Sequence, residues 1–272
     1  MTIAGLRTRY WVGGVGPPLV LVHGLGGAAW NFTDVAPLLA LHHRVLVPDL
    51  PGHGGTEPLP QLESLSDLAL HVGAVADHEN MAPAAVLGYS MGGPVSLRLA
   101  VERPEAVSSL VLVAPAGIVS TTRRAEIWLV SVSSLRPARK IARFSRLLAR
   151  RPNLRLPVFG YWGADDPRLL SPESVVGFLA AQPEHTDVEG AARALLRDDP
   201  RPDLGAVTCP TAVVWGARDR LIPLEDGFEY ARRLRCPLRV LPAAGHLLVG
   251  ECSEELAVVV GELLETVAPA AV

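Results

Sequence analysis

Chemistry enters this sequence at Gly88-Tyr89-Ser90-Met91-Gly92-Gly93, where a serine has glycine two residues to either side. A serine hydroxyl is a weak nucleophile near neutral pH. It attacks a carbonyl only when a base removes its proton and a further group steadies that base. The apolar run Ala84-Ala85-Val86-Leu87 precedes the serine, and a helical pattern opens after it at 91–101. A serine set between strand and helix must turn the chain sharply, and the flanking positions must then be nearly free of side chain. Gly88 and Gly92 supply that room, and Gly93 lets the helix approach the sheet. The turn projects the hydroxyl above the sheet edge at a helix N-terminus, whose partial positive charge favours a developing oxyanion. A G-x-S-x-G spelling also arises by chance in a chain with 25 glycines; the strand before and the helix after single this one out.

The elements that must hold such a turn are legible along the chain. Leu19-Val20-Leu21-Val22, Val45-Leu46-Val47, Ala84-Ala85-Val86-Leu87, Leu110-Val111-Leu112-Val113, Ala212-Val213-Val214-Trp215 and Leu238-Arg239-Val240-Leu241 read as strands. Continuous apolar runs of this kind belong to strands covered on both faces of a parallel sheet. Helical patterns lie between them, notably at 65–77, 91–101, 225–234 and 254–267, and strand-helix alternation predicts an α/β sheet with helices on both faces. Residues 2–12 are expected to add antiparallel edge strands. The alternation breaks between Pro115 and about Leu204, where basic helical runs are punctuated by Pro137, Pro152, Pro157, Pro172 and Pro183. So long an excursion is not a structureless loop. The expected organisation is a core domain of residues 1–115 and 206–272 with a helical cap domain of residues 116–205 set above the sheet.

With this context, the chain resembles the α/β-hydrolase superfamily over essentially its whole length. The resemblance implies a mostly parallel eight-stranded sheet flanked by helices, with a cap inserted after strand six and a Ser, Asp or Glu, His triad in that chain order. It places the base at His246, in Ala243-Ala244-Gly245-His246 just after the last predicted strand. Of the other histidines, His23 lies in His23-Gly24-Leu25-Gly26-Gly27, which matches an oxyanion loop, and His53 in Asp49-Leu50-Pro51-Gly52-His53-Gly54, which matches a structural turn. His42, His43, His71, His78 and His185 lie in or near helical runs and read as solvated. The acid falls on Asp219, because Gly216-Ala217-Arg218-Asp219-Arg220-Leu221-Ile222-Pro223 resembles the family's G-x-x-D-x-x-x-P loop. The other place relatives use, here Ala114-Pro115-Ala116-Gly117, has no carboxylate. Asp226, Asp165 and Asp166 are weaker alternatives. Motif correspondence assigns the oxyanion donors to the backbone N–H groups of Leu25 and Met91.

The remaining observations bound the function. A formal charge of −3 and a pI near 6.2 exclude an overall attraction to nucleic acid. There is no H-E-x-x-H, no clustered Cys/His spacing and no dinucleotide fingerprint, so no metal or cofactor is expected. Residues 1–16 lack the apolar stretch of a secretory leader, and no apolar run approaches the roughly 20 residues of a membrane span. A cytoplasmic protein with free thiols at Cys209, Cys236 and Cys252 is expected, and a Cys209–Cys236 pair stays open. Residues 136–155 carry Arg136, Arg139, Lys140, Arg143, Arg146, Arg150, Arg151 and Arg155 with no acid, and Ile141, Phe144, Leu147 and Leu148 recur at helical spacing. This reads as an amphipathic basic helix, either a solvated face or a site for an anionic substrate, carrier or membrane surface. Trp128, Trp162, Phe159 and Phe178 are candidate walls of a substrate pocket or packing residues of the cap. Within the family, serine at position 90 argues against the aspartate-using dehalogenase and epoxide-hydrolase branches. Leu247 stands where ring-cleavage hydrolases typically carry tryptophan. Pro94 replaces an arginine usual in the menaquinone-pathway lyases, and Met91 a tryptophan usual in proline iminopeptidases. The expected activity is hydrolysis of a carboxylic ester, thioester or lactone on a small-molecule substrate with an apolar acyl part. A lyase, cyclase or C–C hydrolase using the same triad is the alternative, ahead of a non-catalytic receptor.

Overall fold

The computed structural model describes residues 1–118, 137–160 and 163–267. Its strands are β1 (Thr2–Ile3), β2 (Leu6–Arg7), β3 (Tyr10–Gly13), β4 (Pro18–Val22), β5 (Arg44–Pro48), β6 (Ala84–Tyr89), β7 (Val107–Val113), β8 (Thr211–Gly216) and β9 (Leu238–Leu241). Seven of them form one sheet in the order β3-β5-β4-β6-β7-β8-β9. Every pairing in it is parallel except that of β3 with β5. Val20, Leu46, Val86, Leu112 and Val214 are buried, as strands covered on both faces require.

The expected eight-stranded sheet is corrected to seven. β1 and β2 pair only with each other, closed by a tight turn in which Ala4 and Gly5 both have positive φ. Such a turn returns the chain on itself after two residues, so only β3 reaches the main sheet. The helical excursion therefore follows β7, the fifth strand of that sheet in chain order, and not a sixth.

The helices are α1 (Val35–Leu39), α2 (Leu65–His78), α3 (Gly92–Glu102), α4 (Pro137–Ile141), α5 (Ser145–Arg150), α6 (Leu156–Phe159), α7 (Pro172–Ala180), α8 (Val188–Arg197), α9 (Leu224–Leu234), α10 (Leu248–Glu251) and α11 (Ser253–Val267). Their starts follow local chemistry. Asp67 accepts the Ser64 N–H ahead of α2 at 2.9 Å, Ser171 Oγ accepts the Ser174 N–H at 2.8 Å, and Asp187 accepts the Gly190 N–H at 2.9 Å.

Between β7 and β8 the structure gathers α4 to α7 around a small apolar cluster of Leu148, Phe159, Leu170, Val175, Leu179 and Leu247, separate from the main core. The basic helix expected at 136–155 is shorter and broken. Arg151 leaves helical geometry, with φ −129° and ψ 83°, because the ring of Pro152 crowds the preceding residue out of the α region. Arg155 is not on an exposed face either. It is buried, and its guanidinium donates to the carbonyls of Leu148 (2.9 Å), Arg168 (3.2 Å), Leu170 (2.5 Å) and Ala149. Arg136, Trp128 and Trp162 lie outside the described residues. All three cysteines are free thiols. Among the described residues no helix is long and apolar enough to cross a membrane.

Candidate active site

The chain runs from β4 to β5 on one side of the sheet and then crosses to β6 on the other side of β4. At such a reversal the loops leaving the two neighbouring strands diverge and open a crevice at their carboxyl ends. Gly24 to Gly27 follow β4 and Ser90 follows β6, so both border that crevice. They are in contact: a Cβ on Gly24 would lie 3.3 Å from Ser90 Oγ.

The turn at Ser90 is built from backbone against backbone. Ser90 has φ 54°, the left-handed region that costs a residue with a Cβ roughly 1–2 kcal/mol. The neighbours force it there. A Cβ on Gly92 would lie 2.1 Å from Val22 O, and one on Gly88 would lie 2.4 Å from Gly92 O. The Ser90 N–H donates to Val113 O and its carbonyl accepts from Gly93 and Ala116, locking the turn to the end of β7.

His246 reaches this turn from the loop after β9. Its Nε2 lies 3.0 Å from Ser90 Oγ, and its Nδ1 lies 2.8 Å from Asp219 Oδ2. A carboxylate can only accept, so Nδ1 carries the proton and Nε2 is left to accept from the serine hydroxyl. Asp219 comes from the loop after β8, where its other oxygen accepts the N–H groups of Leu221 and Ile222 at 2.8 Å each. The acid and histidine loops cross over Gly216, where a Cβ would meet the carbonyls of Ala244 and Gly245 at 2.4 Å. The side chains of His246 and Asp219 are almost wholly shielded from solvent. Of the other acids considered, Asp165 pairs with Arg218 at 2.6 Å and Asp166 with Arg168 at 2.7 Å, while Asp226 is buried in α9.

Leu25 and Met91 lie on the two loops that border the serine. Among the described residues neither N–H donates to another group of the chain. The direction of the Leu25 N–H follows from its peptide. Gly24 O accepts from His23 Nδ1 at 2.8 Å and from the Gly27 N–H at 3.0 Å. In a trans peptide the N–H points opposite to the carbonyl, so it faces away from those donors. His23 is fixed as a donor because its Nε2 accepts the Leu50 N–H at 2.9 Å.

Three features were not visible in the sequence. Tyr89 Oη donates to His246 O at 3.0 Å, and its ring lies 5.4 Å from the imidazole. Its hydroxyl is held well above its ordinary pKa by burial and then by Asp219 and Glu251. His185, expected to be solvated, is buried: Nδ1 accepts the Gly54 N–H at 2.8 Å and Nε2 donates to Gly26 O at 2.9 Å. His71, also expected in solvent, is buried 3.2 Å from Thr8 Oγ1. The reason is tertiary: His185 meets partners more than a hundred residues away, which no local pattern records. The rings of His23, His53 and His185 form a row, with centroids 5.3 and 5.5 Å apart. Burial, then the neighbouring His53, pushes the pKa of both His23 and His185 down to about 3, so these imidazoles are neutral.

A serine hydroxyl hydrogen-bonded to a neutral imidazole, itself oriented by a buried carboxylate, can pass its proton and attack a carbonyl. The family model described as alpha/beta hydrolase fold matches residues 17–251. The chain is 33% identical over 252 residues to the dihydrolipoyllysine-residue acetyltransferase component of the acetoin cleaving system of Pseudomonas putida. The match covers 89% of this chain but only 61% of that protein. It is 31% identical to the 2-hydroxymuconate semialdehyde hydrolase of Pseudomonas sp. strain CF600, across 99% of this chain and 94% of that one. It is likewise 31% identical to the pimeloyl-[acyl-carrier protein] methyl ester esterase of Chromobacterium violaceum, across 93% and 96%. Among solved structures, a thermophilic esterase from Thermogutta terrifontis superposes with a TM-score of 0.74 at 24% identity, covering 97% of this chain and 95% of the other.

Proposed function

The chain belongs to the alpha/beta hydrolase fold family, and from that premise we propose that it is a serine hydrolase that cleaves a carboxylic ester, thioester or lactone through an acyl-enzyme intermediate. The observation that carries this reading is the unbroken relay from Ser90 Oγ through His246 to Asp219, at 3.0 and 2.8 Å. In the first step His246 Nε2 takes the Ser90 proton as Oγ attacks the substrate carbonyl. Asp219 holds the imidazole in the required tautomer and stabilises the imidazolium. The carbonyl oxygen becomes an oxyanion, which the N–H groups of Leu25 and Met91 receive. Donors aimed at developing charge in a shielded site contribute about 2.7–4 kcal/mol each. Collapse breaks the bond to the alcohol or thiol, and His246 returns the proton to that leaving group. A water, deprotonated by the same imidazole, then hydrolyses the acyl-serine and restores the hydroxyl.

In this reading residues 116–205 act as a cap over the crevice, with Leu247, Phe159 and Phe178 offering apolar walls to an acyl chain. The likeness to a methyl ester esterase supports ester cleavage. A second reading, C–C bond hydrolysis by the same three side chains, is favoured by the near full-length likeness to a semialdehyde hydrolase. The experiment that decides is turnover of a p-nitrophenyl ester series beside a 2-hydroxymuconate semialdehyde, with fluorophosphonate labelling as control. Ester turnover with an adduct mapped to Ser90 is the expected result. Labelling with turnover only of the semialdehyde moves the assignment to C–C hydrolysis, and no adduct on Ser90 rejects the serine mechanism.

A further inference from the structure

The loop that carries His246 is held by more than the side-chain relay. Glu251, at the end of α10, turns its carboxylate back onto it: Oε2 accepts the Gly245 N–H at 3.0 Å. The other oxygen accepts the N–H groups of Asp165 at 2.6 Å and Asp166 at 3.0 Å, which belong to the segment crossing above the sheet. The same crossing segment reaches the histidine directly, since Gly163 O accepts the N–H of His246 at 2.6 Å and of Leu247 at 3.1 Å. Three consecutive N–H groups around the imidazole, from Gly245 to Leu247, are thus tied to the turn at 163–166 or to the carboxylate that grips it. The fit is close, because a Cβ on Gly245 would lie 2.6 Å from Asp165 N. Among the described residues no arginine or lysine pairs with Glu251. A partly buried carboxylate facing three N–H donors and no cation is satisfied by backbone alone. Burial keeps its pKa raised against the pull of those donors.

The acid loop is gripped at the same turn. Asp165 pairs with Arg218, the residue before Asp219, at 2.6 Å. One side of the 163–166 turn therefore meets the loop of the acid and the other meets the loop of the base.

Resting on the reading of His246 as the base, we propose that Glu251 is a positioning residue: its carboxylate clamps the histidine loop to the crossing segment and so sets the imidazole between Ser90 and Asp219. A turn displaced at Gly245 would carry the ring with it, and misplacements of about 1 Å in a reacting geometry cost on the order of 10²-fold.

The test is Glu251→Gln in the full chain. Glutamine keeps the size, but its one carbonyl oxygen cannot serve both the Gly245 N–H and the pair on Asp165 and Asp166, and its amide nitrogen would face a donor. The expected result is a kcat for a p-nitrophenyl ester about 10- to 100-fold lower, with KM within about threefold of the parent, in the range known for groups that orient a reacting residue. The downfield proton resonance of His246 Nδ1–H in its bond to Asp219 should shift or broaden, and the urea midpoint should stay near the parent value. An unmoved resonance, or a kcat within twofold of the parent, overturns the proposal. So does a kcat loss matched by an equal loss of folded protein. If Glu251→Gln does not fold, Glu251→Asp, which withdraws the carboxylate by one methylene, is read in the same way. The resonance needs no turnover, so it tests the clamp even if the ester reading fails, whereas that reading fails on the absence of a Ser90 adduct in the parent.

Discussion

The turn at Ser90 and the helical segment between β7 and β8 fix their backbones by different means. At the turn, main chain presses on main chain: the space at Gly88, Gly92 and Gly216 is taken by carbonyl oxygens of a neighbouring helix start, strand and loop. In the described part of the segment, side chains add to main-chain contacts such as those of Gly163. Arg155 gathers four carbonyls, Ser171 and Asp187 cap helices, and a small apolar cluster closes around Phe159 and Leu247. A contact between two main chains has one solution, while a contact through a side chain can be remade with another residue. On the proposed reading, the chemistry is therefore set where variation is least tolerated.

The comparison breaks most plainly at the relay. Ser90→Ala should lower kcat on the order of 10⁴-fold with the far-ultraviolet circular dichroism unchanged. Asp219→Asn should have a similar effect by reversing the imidazole tautomer. If Asp165→Asn or Asp226→Asn matched that loss while Asp219→Asn did not, the acid would be misassigned. Next in size is Gly92→Ala, whose methyl would stand 2.1 Å from Val22 O. We expect a loss of about 3 kcal/mol in urea unfolding, at the upper end for overpacking, because a strand carbonyl cannot step aside. A substitution to alanine at Gly205, where a Cβ meets nothing within 4 Å, is the matched control and should fall within about 0.5 kcal/mol.

A pH-dependent effect of comparable size should appear at the seam between the two regions. His23 and His185 have folded pKa values near 3 against an ordinary 6.5, and His53 is also lowered by burial. Between those limits the unfolded chain binds more protons than the folded one. Their contribution to stability is therefore complete above pH 6.5 and is lost as pH falls toward 3. The ceiling is about 1.4 kcal/mol per pH unit for each imidazole. Urea midpoints at pH 7, 6 and 5 should decline in that order, and His185→Gln should flatten the decline. The smallest effect is expected on the surface of the crossing segment. Arg139, Arg143 and Arg146 are exposed. Reversing all three to glutamate should leave kcat for a small neutral ester unchanged and stability within about 0.5 kcal/mol. The KM of an anionic ester of matched size, measured at two salt concentrations, tests whether this face reads substrate charge.

Much of the sheet was legible because its strands carry their burial in their composition: 19–22, 45–47, 84–87, 110–113 and 212–215 all lie within observed strands. Ser90 could be located because a tight turn requires glycines at fixed offsets. His246 and Asp219 were singled out by the resemblance to the α/β-hydrolase superfamily, which places each in a loop after a strand, and the structure brings both to Ser90. What escaped was long-range. The pairing of β1 with β2 is decided by the two positive-φ residues, Ala4 and Gly5, that join them, and alternation alone could not separate it from an edge of the main sheet. The placement of Arg155, His185 and Glu251 was hidden for a common reason: each is a polar residue whose partners are backbone groups, and a backbone group has no letter in a sequence.

One consequence of the left-handed turn at Ser90 concerns descent. Positions 88, 92 and 93 are pinned by their surroundings, while the hydroxyl at 90 is turned to His246 Nε2 at 3.0 Å. On the proposed reading of Ser90 as the nucleophile, the reacting side chain is thus separable from the main chain that carries it. A lineage carrying this turn can exchange its serine for a cysteine or an aspartate in a single substitution without rebuilding the sheet. On that reading, a change of reacting group alters one side chain and leaves the turn as it stands.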